Sequence, residues 1–212
     1  MPLHPIVFLV DDEPAVLKGL SRLLRSAGLA VETFSSSQDF LNHYLPHTPG
    51  CLVLDVAMPG LNGLELQKAL TAKGSALPII FLTGHGDIPM SVQAMKRGAA
   101  DFLTKPVNDD ELLKAIRAAL EKDRVARHAR AEVAEIRQRL TTLTPREREV
   151  LEHVISGQLN KQTAADLGIG EKTIKVHRAR VMEKMKAQSL VDLVRLAEKA
   201  GVGGKGAGSE QG

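Results

Sequence analysis

The chain of 212 residues contains one cysteine, one tyrosine and no tryptophan. Because Cys51 is the only cysteine, the sequence excludes an internal disulfide and a cysteine-rich metal site. Aromatic residues make up only 3% of the chain, so the stacking surfaces that bind single-stranded nucleic acids are scarce. The remaining composition, with 43% hydrophobic and 25% charged residues, is typical of a globular protein.

Long hydrophobic segments are also missing. The longest nonpolar run, Ala76–Leu82, is far too short to cross a bilayer. Residues 1–4 lack the charged and apolar regions of a signal peptide. We therefore expect a cytoplasmic protein that has no membrane partner.

The net charge of +3 is unevenly distributed along the chain. Residues 1–122 carry 11 basic and 13 acidic side chains, whereas residues 123–212 carry 17 and 12. This imbalance predicts an anionic partner for the second half. A solvated basic surface would give the same imbalance, so charge alone does not decide.

Five apolar runs recur in the first half, and most of them are continuous, as is typical of parallel strands buried on both faces. The runs are Ile6–Val10, Ala30–Phe34, Cys51–Leu54, Leu77–Leu82 and Ala100–Leu103. Helical segments alternate with them at Pro14–Ala27, Ser37–Leu45, Leu64–Lys73, Ile88–Arg97 and from about Asn108 onward. This alternation predicts an α/β doubly wound five-stranded parallel sheet, with the flavodoxin-like strand order.

The second half is predicted to be entirely helical. An apolar stripe from Val125 to Leu140 recurs every three or four residues, which indicates a helical linker that continues the fifth helix. Four short helices follow at Pro145–Ser156, Lys161–Leu167, Lys172–Lys186 and Leu190–Ala200. We divide the chain into a first domain at residues 1–122, the linker at 123–140, a small all-α domain at 141–200 and a disordered Gly-rich tail at 201–212.

Carboxylates end two of the predicted strands. Asp11 and Asp12 follow the first run and Asp55 ends the third, so these side chains should converge on one rim of the sheet. Clustered carboxylates repel one another unless a cation intervenes, and oxygen ligands of this kind suit Mg²⁺. An ionised Asp55 beside the metal could accept a phosphoryl group as a nucleophile.

Two further side chains end neighbouring strands on the same rim. Lys105 could offset charge on a transferring group, and the Thr83 hydroxyl could donate to a phosphoryl oxygen. Each of these residues also has an ordinary structural explanation, as a helix cap, a surface lysine or a turn. Their joint occurrence at four strand ends favours the functional interpretation.

The spacing of Asp11-Asp12, Asp55 with Met58-Pro59-Gly60, Thr83-Gly84 and Lys105-Pro106 resembles the receiver domain of two-component response regulators. Residues 82–87 and 95–102 are similar to the FixJ subfamily in particular, and the resemblance spans residues 5–122. It implies that Asp55 is the phosphoacceptor and that Thr83 and Phe102 form a switch pair. For the metal it implies direct ligation by Asp12 and Asp55, a contact of Asp11 through water, and the backbone carbonyl of Ala57 as a further ligand. Relatives often carry a larger side chain at the position of Ala57, so the phosphoryl pocket should be more open here.

The small helical domain begins with Thr144 as a helix cap, Pro145 in the first turn and Glu147 three residues after the cap. Two short helices then flank Gly168-Ile169-Gly170, which is the geometry of a helix-turn-helix. In the second of these helices the basic residues are left to face outward: Lys172, Lys175, Arg178 and Arg180. Composition alone would also allow a solvated basic face.

Leu143–Leu151, Leu167-Gly168-Ile169 and Lys172–Arg180 resemble the LuxR-type DNA-binding domain of NarL/FixJ regulators, over roughly residues 141–200. The resemblance implies that Lys175, Val176 and Ala179 face bases. It implies backbone contacts for Lys172, Thr173, His177 and Arg180.

Together the two resemblances predict a regulator in which phosphorylation of Asp55 by a sensor histidine kinase controls binding to double-stranded promoter DNA. We expect the phosphorylated receiver to form a homodimer through a helical face that carries Ile88, Met90, Val92 and Met95. RNA polymerase is a further candidate partner, and no enzymatic turnover is expected beyond the chain's own phosphorylation and dephosphorylation.

Two alternatives remain open from the residues. A haloacid-dehalogenase-like phosphatase also uses an Asp nucleophile with Mg²⁺, but its nucleophile follows the first strand in an Asp-x-Asp pattern, where this chain has Asp11-Asp12-Glu13. A phosphatase assay with small phosphoesters would separate the two classes. The other alternative is a DNA-binding protein whose receiver only dimerises, although its acidic pocket would then be expected to be incomplete.

Overall fold

Five parallel strands form one sheet in the order β2-β1-β3-β4-β5. The strands are β1 Ile6–Val10, β2 Ala30–Phe34, β3 Gly50–Asp55, β4 Ile79–Thr83 and β5 Asp101–Thr104. Every residue of β3 and β4 is buried, whereas the edge strands β2 and β5 are partly exposed. The predicted doubly wound sheet is confirmed, and it places the ends of β1 and β3 side by side.

The structure, a computed structural model, describes residues 4–84 and 88–203, with the backbone alone at residues 88–90. The chain divides into two compact units, Met1–Arg127 and His128–Gly212. Most of the predicted tail, from residue 204 onward, lies outside the described residues, as do the side chains of Ile88 and Met90. No helix of the described part of the chain is long and apolar enough to span a membrane.

Helices cover both faces of the sheet. They are α1 Pro14–Ser26, α2 Ser37–His43, α3 Gly63–Ala72, α4 Ile88–Lys96 and α5 Asp109–Thr141. On one face α1 and α5 bury Leu24, Leu112 and Ile116 against the strands. On the other face α2, α3 and α4 bury Phe40, Leu66 and Ala94.

The start of α3 is fixed by a close approach to β3. A Cβ atom at Gly63 would lie 2.4 Å from the carbonyl oxygen of Asp55, so a larger residue would push the helix away. Asn62 and Glu65 form a capping box at this helix end, with hydrogen bonds of 3.0 Å in both directions. The backbone around Asp55 is therefore held firmly from the side of α3.

Helix α5 spans 33 residues, and the first unit includes it as far as Arg127. Within the first unit, Asp123 accepts the N–H of Gly50 at 3.0 Å and the Arg127 Nε at 2.6 Å. Arg127 also donates to the carbonyl oxygens of His47 and Thr48. The first unit thus holds α5 as far as Arg127, well beyond the part that packs on the sheet.

The second unit packs four helices around the last two turns of α5. They are α6 Pro145–Ile155, α7 Asn160–Leu167, α8 Glu171–Met185 and α9 Leu190–Lys199. Ile136 and Leu140 of α5 join a core with Val150, Ile174 and Val181. The ordered chain continues past α9, because Val202 donates to the carbonyl of Ala197 and packs on this core.

Candidate phosphoacceptor pocket and nucleic-acid interface

Three carboxylates meet where β1 and β3 end. In the parallel register Val10 lies beside Leu54, so Asp11 and Asp55 emerge from adjacent strands at the same edge. One carboxylate oxygen from each of Asp11, Asp12 and Asp55 lies within 4.8 Å of the others. Asp11 and Asp55 are buried, at 3% and 4% exposure, while Asp12 is exposed.

Lys105 joins this cluster from the end of β5. Its Nζ atom lies 2.7 Å from Asp11 Oδ2 and 3.3 Å from Asp55 Oδ1. Its backbone N–H donates to the carbonyl of Thr83 at 2.7 Å, which fixes the position of the lysine against β4. Glu13 also approaches the ammonium group, at 3.6 Å, a contact that the sequence analysis missed although Glu13 follows Asp12 directly.

The pocket disfavours an ionised Asp55. Burial raises the pKa of Asp55 above its ordinary value, and the nearby charge of Asp11 adds to this, although Lys105 acts in the opposite direction. For Lys105, burial acts to lower the pKa, but the hydrogen bond and charge of Asp11, together with Asp55, outweigh it and raise the pKa. Among the described residues, the pocket therefore holds more negative charge than the half-buried Lys105 offsets.

These residues fit a divalent cation. The resemblance to receiver domains predicts Mg²⁺ here, and this rim offers three carboxylates that lie close together. An added cation would offset the charge that Lys105 leaves unbalanced at Asp55. Ala57, the predicted source of a carbonyl ligand, lies at the exposed edge of the same rim two residues after Asp55.

Thr83 and Phe102 lie on neighbouring strands. Thr83 is buried at the end of β4, and Phe102 of β5 pairs with Phe81, with the two ring centroids 6.2 Å apart. Because side chains alternate along a strand, Phe81 and Thr83 share one face of the sheet, and Phe102 lies on that face as well. Phe102 is half-buried, and its role in a switch with Thr83 stays a prediction.

The predicted DNA-contacting residues lie along α8, which begins after Gly170 and is anchored in the core by Ile174, Val181 and Met185. All but one of them are exposed: Lys172, Thr173, Lys175, Val176, Ala179 and Arg180. His177 is half-buried, and its Nδ1 atom has no hydrogen-bond partner among the described residues.

Arg178 differs from the expectation that it faces outward. It is half-buried, and its Nη1 atom donates to Asn160 Oδ1 at 3.0 Å. Sequence spacing could not reveal this partner, because Asn160 belongs to the preceding helix of the helix-turn-helix.

Comparisons with known proteins agree with both halves of this description. The family model described as "Response regulator receiver domain" matches residues 7–117. The model described as "Bacterial regulatory proteins, luxR family" matches residues 141–197. The pocket therefore lies in the segment that matches the receiver family, and α8 lies in the segment that matches the luxR family.

Relatives with the same arrangement cover nearly the whole chain. Nodulation protein W of Bradyrhizobium diazoefficiens is 49% identical over 93% of this chain and 87% of its own length. The transcriptional regulatory protein FixJ of Azorhizobium caulinodans is 49% identical over 95% of this chain and 96% of its own length.

A solved structure described as the response regulator StyR superposes with a TM-score of 0.86 at 50% identity, covering 92% of this chain and 99% of that one. With both domain families matched in this order, the chain belongs to the NarL/FixJ family of response regulators, the phosphorylation-dependent transcription regulators that join a receiver to a LuxR-type helix-turn-helix.

Proposed function

We propose that Asp55 accepts a phosphoryl group from the phosphohistidine of a sensor histidine kinase. An Asp55 oxygen forms the new bond to phosphorus, the phosphorus–nitrogen bond of the phosphohistidine breaks, and the imidazole leaves with the electron pair. The observation that carries this proposal is the buried Asp55 carboxylate, 3.3 Å from Lys105 and crowded by a second buried carboxylate. No general base is required, because the nucleophile reacts as the carboxylate.

The remaining pocket residues support this transfer. Lys105 would neutralise an oxygen of the phosphoryl group, and the hydroxyl of Thr83 would donate to another. Mg²⁺ would be held by Asp12 and Asp55, by Asp11 through water and by the Ala57 carbonyl, and it would offset negative charge on the transferring group. The protein would act only on its own phosphoryl group, without turnover of an external substrate.

The output follows from a change in α4 and β5. We propose that Thr83 turns toward the phosphoryl group, that Phe102 moves inward, and that α4 then pairs with α4 of a second copy. Val92 and Met95 are each 46% exposed on α4, so their apolar side chains are available to a contact with a second copy. Two helix-turn-helix domains joined in this way would bind two half-sites of promoter DNA in the cytoplasm, and RNA polymerase is a further candidate partner.

One experiment tests phosphorylation and pairing together. The full-length protein and Asp55→Asn are treated with acetyl phosphate and Mg²⁺, then compared by intact mass and by sedimentation velocity. Asp39→Asn, which alters an aspartate of α2 outside the pocket, is the matched control.

The wild type and the control should gain one phosphoryl group and sediment as dimers, whereas Asp55→Asn should gain none and remain monomeric. Equal labelling of Asp55→Asn would overturn the assignment of the phosphoacceptor. A labelled wild type that stays monomeric would instead overturn the pairing through α4.

A further inference from the structure

The two helices of the helix-turn-helix are joined by a very short connection. Only Gly168, Ile169 and Gly170 separate α7 from α8, and Gly168 has the left-handed φ of 64° that ends α7. A turn this short brings α7 and α8 next to each other, but a small change in its backbone dihedral angles would change the angle between the two helices. The angle between α7 and α8 must therefore be fixed by contacts away from the turn.

At its C-terminal end α7 is fixed to α6. Arg146 of α6 donates from Nη2 to the carbonyl oxygen of Leu167, the last residue of α7, at 2.6 Å. Nearby, Thr163 and Ala164 of α7 are buried against the domain core. The end of α7 beside the turn thus has little freedom to move.

At its N-terminal end α7 is joined to α8 by a hydrogen bond from Arg178. The hydrogen bond from Arg178 Nη1 to Asn160 Oδ1 is the one side-chain hydrogen bond that joins α7 to α8 within residues 160–185 as described. Asn160 begins α7 and Arg178 is the eighth residue of α8. The hydrogen bond between them therefore lies about 10 Å from the turn, measured along either helix. At that distance a swing of about 5° would move the contact by about 1 Å, enough to break the hydrogen bond.

The surroundings of Arg178 also separate it from the other cations of α8. Lys172, Lys175 and Arg180 are exposed, whereas Arg178 is half-buried and oriented by a neutral amide. A planar guanidinium held in this way loses little entropy when it forms its hydrogen bond. Arg178 therefore links α7 and α8 through a hydrogen bond.

We propose that Arg178 is a positioning residue for DNA recognition: through Asn160 it fixes the angle between α7 and α8, and it does not serve as a phosphate contact. Recognition side chains discriminate bases only when they are held within a fraction of an ångström and a few degrees of the productive geometry. Contacts to phosphates tolerate larger deviations. The Arg178–Asn160 contact should therefore affect sequence discrimination more than overall affinity.

The inference rests on DNA binding by the second domain, and its test keeps the two separable. A preferred duplex is first selected from a random pool with the full-length wild-type protein, and a scrambled duplex of the same composition serves as the non-specific probe. Both duplexes are titrated with wild type, Arg178→Met, Asn160→Ala, the double variant, and Arg180→Met as the matched exposed cation. Each titration is repeated over a range of salt concentrations.

Arg178→Met should weaken binding to the selected duplex about tenfold, the effect of one lost hydrogen bond to a charged donor, and should leave binding to the scrambled duplex nearly unchanged. Asn160→Ala should have the same effect, and the double variant should lose no more than either single variant. The salt dependence should stay at its wild-type slope. Arg180→Met should instead weaken both duplexes and lower the slope by about 0.9.

A lower salt slope and equal losses on both duplexes for Arg178→Met would overturn the proposal, because Arg178 would then be a phosphate contact. Additive losses in the double variant would overturn it as well. Asn160→Ala leaves the arginine in place, so it decides the question even if Arg178→Met fails to fold. Failure of the wild type to select any duplex would count against DNA binding by this domain rather than against the positioning role.

Discussion

Two carboxylates are buried to nearly the same degree in the two domains, yet their surroundings differ in kind. Asp55 of the receiver is 4% exposed and Glu147 of the second domain is 2% exposed. Burial raises the pKa of Asp55, with Asp11 adding to the shift, whereas the hydrogen bond from Lys184, at 2.6 Å, lowers the pKa of Glu147. Glu147 also closes the capping box of α6 with Thr144.

The difference distinguishes a carboxylate whose charge stabilises the fold from one whose charge the pocket disfavours. Glu147 pairs with Lys184 and accepts the backbone N–H of Thr144, so its ionised form stabilises the fold. Asp55 shares Lys105 with Asp11 and Glu13, and the help that Lys105 gives to its ionised form does not outweigh burial, so the pKa of Asp55 remains raised. Asp123 of α5 resembles Glu147 in this respect, since Arg127 and the N–H of Gly50 satisfy it.

The largest effect should come from Asp123→Asn. Removing the buried charge of Asp123 leaves the half-buried Arg127 without its anion, and we expect a loss of roughly 3 kcal/mol in the free energy of unfolding of the receiver. Hydrogen exchange, followed peptide by peptide in the full chain, should show faster exchange in residues 46–51 and in α5. Glu121→Gln, in the exposed pair with Arg124 on the same helix, is the control and should change stability little.

A similar loss in both variants would show that burial of the Asp123 pair is not what holds α5 to the receiver. The result also bears on Cys51, because burial and the charge of Asp123 raise the pKa of that thiol to about 12. In Asp123→Asn the thiol pKa should fall.

Glu147→Gln should have the next largest effect, confined to the second domain. The substitution removes a charge-assisted hydrogen bond to Lys184 and weakens the helix cap, which together cost about 2 kcal/mol. Hydrogen exchange should quicken in α6 and α8 and stay unchanged in the receiver. The control is Glu149→Gln on the same helix, which alters an exposed carboxylate that pairs with the half-buried Arg146.

The stability that Glu147 contributes should depend on pH in a defined direction. Because its folded-state pKa is lowered, this stability is present above the ordinary carboxyl pKa of 4.5 and is lost as the pH falls below it. An unchanged difference between wild type and Glu147→Gln at acidic pH would contradict this assignment.

Much of the fold and the core of the pocket could be predicted because local patterns determine them. Continuous apolar runs indicated the strands, the Thr144–Glu147 cap marked the start of α6, and Asp11 and Asp55 lay together once strands 1 and 3 were neighbours. Contacts between distant segments could not be predicted in this way. Arg178 and Asn160 are 18 residues apart and Asp123 and Gly50 are 73 apart, so only the packing of one element on another reveals their contacts.

The smallest expected effect, and the one of opposite sign, belongs to Asp55→Asn. In metal-free buffer at neutral pH the wild-type pocket holds an ionised Asp55 whose charge is disfavoured by burial and by Asp11. Replacing it with a neutral side chain of the same size should stabilise the receiver, by about 1 kcal/mol or less. Because the folded-state pKa is raised above 3.8, the unfavourable charge is present at neutral pH and disappears as protonation sets in on lowering the pH toward that value. The stability difference between Asp55→Asn and the wild type should therefore shrink on acidification, measured by hydrogen exchange in β1 and β3 at several pH values.

Adding Mg²⁺ at neutral pH should stabilise the wild type more than the variant and so reduce or reverse the difference. A variant that is less stable than the metal-free wild type at neutral pH would mean that Lys105 already satisfies Asp55, and the contrast with Glu147 would then fail.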